Sequence, residues 1–301
     1  MTVGGARATV HLVDASPYIF RAHFSLPESI KTPAGRPAAA SYGFTSFLLK
    51  LIADEKPTHL AVAFDRSLNS SFRNEIYPAY KEQRVLPPPE LEAQLDACVE
   101  IAAALGTATF IDDRYEADDL IGALCAGLEE AGHGAVIVTS DKDLAQLVNG
   151  KVSLLDFSKG LRLGPEAVFE KFGVRPDQIT DFLGLAGDSV DNIPGVKGIG
   201  PKSAAELLAR FGHLEDLYAR LDELPWSNIR GAKSLHAKLA ASREIAFLSK
   251  QLATVSPEVP GVSADLKSLE YRGADPARVE ELFKRLGFNK IRERVPARDR
   301  D

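Results

Sequence analysis

TATFIDDRYEADDLIGALCAGLEEAGHGAVIVTSDKDLA, residues 107–145, reads as strand, helix, strand. Thr107–Ile111 is a short β-branched and aromatic run. Glu116–Gly132 carries Leu120, Ile121, Leu124 and Leu128 at helical spacing, and Ala135–Thr139 is a second apolar run. Ser140-Asp141-Lys142-Asp143 and another helical start follow. Outward from this unit the alternation continues. Ala8–Val13, Thr58–Phe64 and Val152–Leu155 are further strand candidates. Ser41–Ala53 and Glu90–Leu105 are helical, the latter stopped by Gly106. Strands joined by helices predict an α/β domain over residues 1–172, with a central, mostly parallel sheet and helices on both faces. After Gly173 the pattern changes to helices and glycine turns, which predicts a helical lobe over 173–290. The charged tail, 291–301, is expected to fray.

Composition narrows the class. The 301 residues are 45% hydrophobic and 26% charged, an ordinary globular balance that excludes a low-complexity or disordered chain. No apolar run approaches the ~20 residues of a membrane span. The N-terminus lacks the charged and apolar regions of a secretory signal. Cys98 and Cys125 lie in apolar helical patterns and read as small buried hydrophobes of a reducing compartment, so the expected location is cytoplasmic.

In an open α/β sheet, ligands bind beyond the carboxyl ends of the strands, and acids gather there. Asp14 and Asp65 close two strands. Glu116, Asp118 and Asp119 open one helix, and Asp141 and Asp143 open the next. Asp188 and Asp191 lie in a turn of the second half. Any one of these could be an ordinary helix cap. Five groups on one edge need more, since two like charges ~4 Å apart repel by roughly 4 kcal/mol at an effective dielectric near 20. Hard divalent cations with oxygen ligands, Mg²⁺ or Mn²⁺, resolve the repulsion, and no Cys/His cluster points to zinc. A pair of such ions suits phosphodiester hydrolysis. Without these nine acids the net charge of −6 becomes +3, so an acidic chain is no argument against a nucleic-acid partner.

Two segments supply the complementary charge. Residues 66–89 form a long connection with little hydrophobic periodicity, interleaving Arg66, Arg73, Lys81 and Arg84 with Phe72, Tyr77 and Tyr80. That mixture suits single strands, and a solvated loop packed on the sheet edge is the plain alternative. IPGVKGIGPKSAAELL, residues 193–208, reads as helix, hairpin, helix. Gly195, Gly198 and Gly200 permit positive φ, Pro201 fits the first helical position, and Lys197 and Lys202 flank a phosphate-sized turn.

VDASPYIFRAHF, AFDRSLNSSFRNEIYPAYKEQR, YEADDLIG, TSDKDLAQLV and GDSVDNIPGVKGIGPKSA, in this order across Val10–Leu208, resemble the 5′→3′ exonuclease family, in its bacterial flap-endonuclease branch. The resemblance implies a standalone, structure-specific metal-dependent nuclease of DNA replication and repair. It would act on 5′ ends and flaps of branched, nicked or gapped DNA, with RNA primer–DNA hybrids as further substrates, and leave 5′-phosphates. It implies Asp14, Asp65, Glu116 and Asp118 at a first metal, and Asp119, Asp141, Asp143 and Asp191 at a second, with Asp188 as an outer ligand. It implies Lys81 and Arg84 as catalytic cations of a helical arch over 66–89. Arg73, Tyr80, Gly195, Lys197, Gly198, Gly200 and Lys202 are expected DNA contacts, and the carbonyls of Val196 and Ile199 are expected to hold K⁺ within a helix–three-turn–helix element. Nothing in the sequence demands more than a monomer. A branched-DNA binding module, a small ribonuclease and a structural Ca²⁺ binder are the alternatives. The acidic set disfavours the first, the arch and hairpin disfavour the second, and the lack of an EF-hand loop disfavours the third.

Overall fold

A computed structural model describes residues 7–66, 71–85 and 87–296. Its sheet has six strands: β1 (Thr9–Asp14), β2 (Leu60–Asp65), β3 (Ala108–Asp112), β4 (Gly134–Val138), β5 (Val152–Asp156) and β6 (Leu161–Leu163). The order is β3-β2-β1-β4-β5-β6, with β1–β5 parallel and β6 antiparallel to β5. β1 and β4 are buried along almost their whole length, which their unbroken apolar runs require of central parallel strands. The order reverses at β1, flanked by β2 and β4, so the ligand crevice opens beyond Asp14 and Val138.

Among the described residues, thirteen α-helices accompany the sheet. In the first half they are α1 (Ser16–Ser25), α2 (Ala39–Glu55), α3 (Phe72–Ile76), α4 (Pro89–Ala104), α5 (Ala117–Glu130) and α6 (Pro165–Phe172). In the second half they are α7 (Ile179–Ala186), α8 (Pro201–Phe211), α9 (Leu214–Ala219), α10 (Ala232–Ala241), α11 (Arg243–Ala253), α12 (Leu266–Leu269) and α13 (Pro276–Leu286). Two apolar cores lie on opposite faces of the sheet. One joins Leu12, Ala63 and Ile137 to α5 and to the helical lobe through Leu183, Leu207 and Leu239. The other joins Val13, Val62 and Val138 to α1, α2 and α4. Phe44 and Leu48 are fully buried in that second core, where truncation of Leu48 to Ala would cost about 2–5 kcal/mol.

The structure modifies several expectations. α1 was not anticipated; Pro17 sits in its first turn, where the missing N–H costs no helical hydrogen bond. The helix expected after Asp143 is a 3₁₀ turn, Asp143–Leu147, and β6 is too short to signal itself. The 173–290 segment is not a single packing unit. Val279, Leu282 and Phe283 of α13 cross to the opposite face of the sheet and join the core of α2 and α4. The start of the tail is not frayed. Ile291 is buried in the same core, and Arg294 donates to the Ser46 hydroxyl at 3.0 Å, while 297–301 lie outside the described residues. Cys98 and Cys125 are free and buried as expected, and burial pushes both thiols up.

Candidate active site

The crevice beyond β1 and β4 collects the acids. Asp14 is buried at the end of β1, where the Thr139 hydroxyl donates to its Oδ2 at 2.7 Å from the end of β4. Asp65, at the end of β2, accepts from the Ser16 hydroxyl at 2.5 Å and from the Ala117 amide at the α5 N-terminus at 2.8 Å. The Asp141 amide donates to Thr139 Oγ1, and the Asp143 amide to Asp141 Oδ1, both at 2.9 Å. This turn aims both carboxyl groups into the crevice from β4. Asp188 and Asp191 enter from a loop closed by the reciprocal Asp188–Ile193 backbone pair, 2.9 and 2.7 Å.

The carboxylates feel one another strongly. Burial first, then repulsion from Asp65 and Asp141, pushes Asp14 up to about 8 against its Thr139 bond. Burial, then Asp141 and Asp188, pushes Asp143 up to about 8. Burial, then Asp141 and Asp14, raises Asp118 well above the carboxylate range, and burial with Asp191 raises Asp141. Asp143 Oδ1 is buried without a hydrogen-bond partner. A dense set of hard oxygen donors with an orphaned oxygen fits a divalent cation in donor chemistry. Among the described residues, no three His, Cys, Asp or Glu side chains lie close enough to hold an ion as they stand.

Cations rim this pocket. Lys81, at φ +55, is buried with its Nζ 2.7 Å from Glu116 Oε2 and 3.6 Å from Asp191 Oδ2. Burial opposes its charge, but Glu116 and Asp191 hold the ammonium well above its ordinary range. Arg84 Nη2 lies 2.5 Å from Asp191 Oδ1. Burial alone would raise Asp191, yet Lys81 and Arg84 hold it below the usual range. Lys142 Nζ reaches Asp188 at 2.6 Å, a pairing the sequence reading missed although Lys142 lies inside the quoted acidic motif. Residues 79–84 are also latched to the 188–192 loop by one backbone and one side-chain bond: the Lys81 amide donates to Asp191 O at 3.1 Å, and the Asn192 side-chain Nδ2 to Ala79 O at 2.6 Å.

Three expected site residues are placed otherwise. Asp119 was expected at a metal, but it is 0% exposed and its oxygens are fully engaged. They accept from Arg73 Nη1 and Nη2 at 2.7 and 2.8 Å, from the Ser256 amide at 2.8 Å and from the Glu116 amide at 3.1 Å. Arg73 was expected on DNA. It is 2% exposed, and its remaining donors go to the carbonyls of Leu252 and Thr254 at 2.8 and 2.9 Å. Tyr80 was expected to stack on a base. Its ring is buried, and its hydroxyl donates toward Glu116 and Asp191 at 3.2 and 3.3 Å. The segment expected as a non-periodic arch carries α3, capped by reciprocal Ser71 and Asn74 bonds, and residues 67–70 and 86 of it lie outside the described residues.

The hairpin lies between α7 and α8. Gly195 and Gly198 adopt positive φ, +59 and +79, and a Cβ on Gly195 would come within 2.3 Å of the Gly187 amide nitrogen. Gly200 departs from expectation: at φ −97 it is the extended N-cap of α8. Lys197 and Lys202 are exposed, while the side chains of Val196 and Ile199 are buried and anchor the turn.

Comparison with known proteins agrees with this fold. Residues 9–173 match the family model of the 5′-3′ exonuclease N-terminal resolvase-like domain, and residues 174–277 that of the 5′-3′ exonuclease C-terminal SAM fold. DNA polymerase I of Bacillus caldotenax is 41% identical over 288 residues, covering 94% of this chain and 32% of the polymerase. DNA polymerase I of Pseudomonas aeruginosa is 44% identical over 255 residues, covering 84% of this chain and 28% of the polymerase. The chain thus spans about a third of the length of these curated relatives. Among solved structures, bacteriophage T5 5′-exonuclease with bound divalent metal ions (zinc) superposes with a TM-score of 0.67 at 23% identity, covering 92% of this chain and 99% of that one. The catalytic core of Rad2 in complex with DNA substrate gives 0.61 at 18% identity, covering 96% and 91%. These two likenesses concern the fold, and the family models with the polymerase relatives carry the kinship. A PIN-like α/β sheet with acids at its switch point, continued by a helical SAM-like lobe, therefore places this chain in the 5′-3′ exonuclease family.

Proposed function

We propose that this chain is a structure-specific 5′→3′ nuclease that hydrolyses DNA phosphodiester bonds near 5′ ends and flap junctions, leaving 5′-phosphates, in replication and repair. The observation that carries the reading is the switch-point crevice. Eight acids gather there, four of them pushed up by burial and mutual repulsion, and Lys81 and Arg84 rim it. Solved relatives of this fold are described with divalent metal ions and with DNA substrate, which supports both partners for this chain. Among the described residues no helix is long and apolar enough to cross a membrane. The proposal extends to a monomer acting in the cytoplasm on flaps, nicks, gaps and RNA primer–DNA hybrids.

In this reading Asp14, Asp65, Glu116 and Asp118 hold one Mg²⁺ or Mn²⁺. Asp141, Asp143 and Asp191 hold a second, with Asp188 at one remove. Such a pair supplies Lewis-acid polarisation of the phosphoryl group and an acidic water when bound. The protein's own contribution is placement and charge. Thr139 and Ser16 orient Asp14 and Asp65. Lys81 and Arg84 stand at the rim, where a cation stabilises the extra negative charge of an in-line transition state. The hairpin offers Lys197, Lys202 and the α8 N-terminal amides to duplex phosphates without reading bases. A K⁺ ion on the Val196 and Ile199 carbonyls belongs to the same proposal.

The test is cleavage of a 5′-labelled flap duplex in Mg²⁺, Mn²⁺, Ca²⁺ and EDTA, beside a gel shift in Ca²⁺. Cutting near the junction in Mg²⁺ or Mn²⁺, and none in EDTA, is the expected result. Asp141→Asn should lose most cleavage and keep the gel shift. Binding without cutting in every metal would leave a branched-DNA binding module instead.

A further inference from the structure

The hairpin turn has a partner outside the helix–hairpin–helix element. Lys238, in the last turn of α10, donates from Nζ to the Gly198 carbonyl at 3.0 Å across 40 residues of sequence. Its stem lies along the glycine: a Cβ on Gly198 would come within 2.7 Å of Lys238 Nζ and 3.2 Å of its Cε. Gly198 needs to be glycine for its φ of +79, and its missing Cβ leaves the space that the end of this lysine occupies. One bond uses one of the three ammonium donors. Lys238 is part-exposed, so the other two reach solvent at the turn that carries exposed Lys197, with exposed Lys202 following as the second residue of α8. Among the described residues no carboxylate pairs with Lys238, in contrast to Lys81, Arg84, Lys142 and Lys250.

We propose that Lys238 is a phosphate-binding residue that α10 contributes to the hairpin, holding the turn through the Gly198 carbonyl and adding a third ammonium to those of Lys197 and Lys202. The inference rests on the duplex-binding reading above. It adds a residue that no helix–hairpin–helix pattern would pick out, because Lys238 lies beyond α8, α9 and a 3₁₀ turn. The ligand is a backbone phosphate of duplex DNA, so sequence should not matter and salt should.

The experiment measures binding of the full chain to a non-cleavable flap duplex in Ca²⁺ across a salt series. Wild type, Lys238→Met, Lys238→Gln and Lys238→Arg are compared, with a urea melt of each. Lys238→Met should weaken binding roughly fivefold to tenfold at 0.1 M salt and lower the slope of log K against log salt by about 0.9. Lys238→Gln keeps a donor for Gly198 without the charge and should show the same lowered slope. Lys238→Arg should restore both affinity and slope. A wild-type slope in Lys238→Met, or full rescue by Lys238→Gln, would overturn the phosphate role and leave a structural bolt. Wild type that fails to bind the duplex at all would instead overturn the duplex-binding reading.

Discussion

Asp118 and Asp119 are consecutive residues in the first turn of α5, and the two sides of that helix treat them in opposite ways. Asp118 faces the crevice, where burial and the charges of Asp141, Asp14 and Asp65 work against its ionised form. Asp119, turned about 100° around the helix, meets Arg73 in a bidentate pair and accepts two backbone amides as well. One region is an under-neutralised group of acids and the other a saturated ion pair. The saturated pair does a further job. Arg73 ties the base of the 71–85 segment to α5, and through Leu252 and Thr254 to the end of α11. Three segments far apart in sequence are thereby fixed around the helix end that carries Glu116 and Asp118. A carboxylate whose partners are protein groups stabilises the fold. A carboxylate facing only its like makes the fold store repulsion that a bound cation can relieve.

The sharpest break of this comparison is at Arg73. Removing one partner of a buried pair strands the other, so Arg73→Ala or Asp119→Ala should destabilise the chain by about 3–5 kcal/mol. The double variant Arg73→Met/Asp119→Leu, which strands no charge, should lose less than either single one. Asp118→Asn should move the other way, leaving the metal-free protein as stable as wild type or more so while removing cleavage. Urea melts in EDTA give all four values. Equal losses at Asp118 and Asp119 would erase the distinction between the two regions.

Lys81 joins the regions, because its ammonium sits on Glu116 at the rim of the pocket. Lys81→Ala should lower kcat by about 10²–10³-fold, the magnitude for loss of one preorganised charge stabiliser, with a smaller change in KM. Lys81→Arg should recover part of the rate. A loss confined to KM would make Lys81 a phosphate contact only.

The sheet and its acids were legible because central parallel strands are unbroken apolar runs, and the chain places an acid where each run ends. The distinction between Asp118 and Asp119 was partly legible. Glu116 and Asp119 stand three apart at the helix start, the spacing of a capping box, and the structure shows that box closed. That spacing could have marked Asp119 as structural before its partner was known. Arg73 carried no such signal. Its partners lie 46, 179 and 181 residues away, so nothing local separates it from the exposed Arg66. Tyr80 misled for the same reason, since an aromatic between basic residues looks alike whether it faces a base or a core. Lys238 escaped because α10 meets the hairpin only in the folded chain.

The smallest effect per unit of condition is the pH dependence of the metal-free protein. Asp14 and Asp143 titrate at about 8 in the folded chain, against an ordinary carboxylate value of 3.8 once unfolded. Between those values the folded state holds protons that the unfolded state has released. Stability is therefore greatest below about pH 4 as far as these groups are concerned, and falls as pH rises toward 8. The slope is at most about 1.4 kcal/mol per pH unit for each proton. Asp191 runs the other way, since Lys81 and Arg84 hold it low, and its contribution is lost only as pH falls below the carboxylate range. Urea midpoints in EDTA should therefore decline from pH 5 to pH 8, and Asp141→Asn should flatten the decline by removing a charge that faces both Asp14 and Asp143. Added Mg²⁺ should raise the midpoint more at pH 8 than at pH 5, because a cation competes with protons for the same oxygens. A midpoint that rises with pH in EDTA would mean that the pocket acids are already neutralised by protein partners, as Asp119 is.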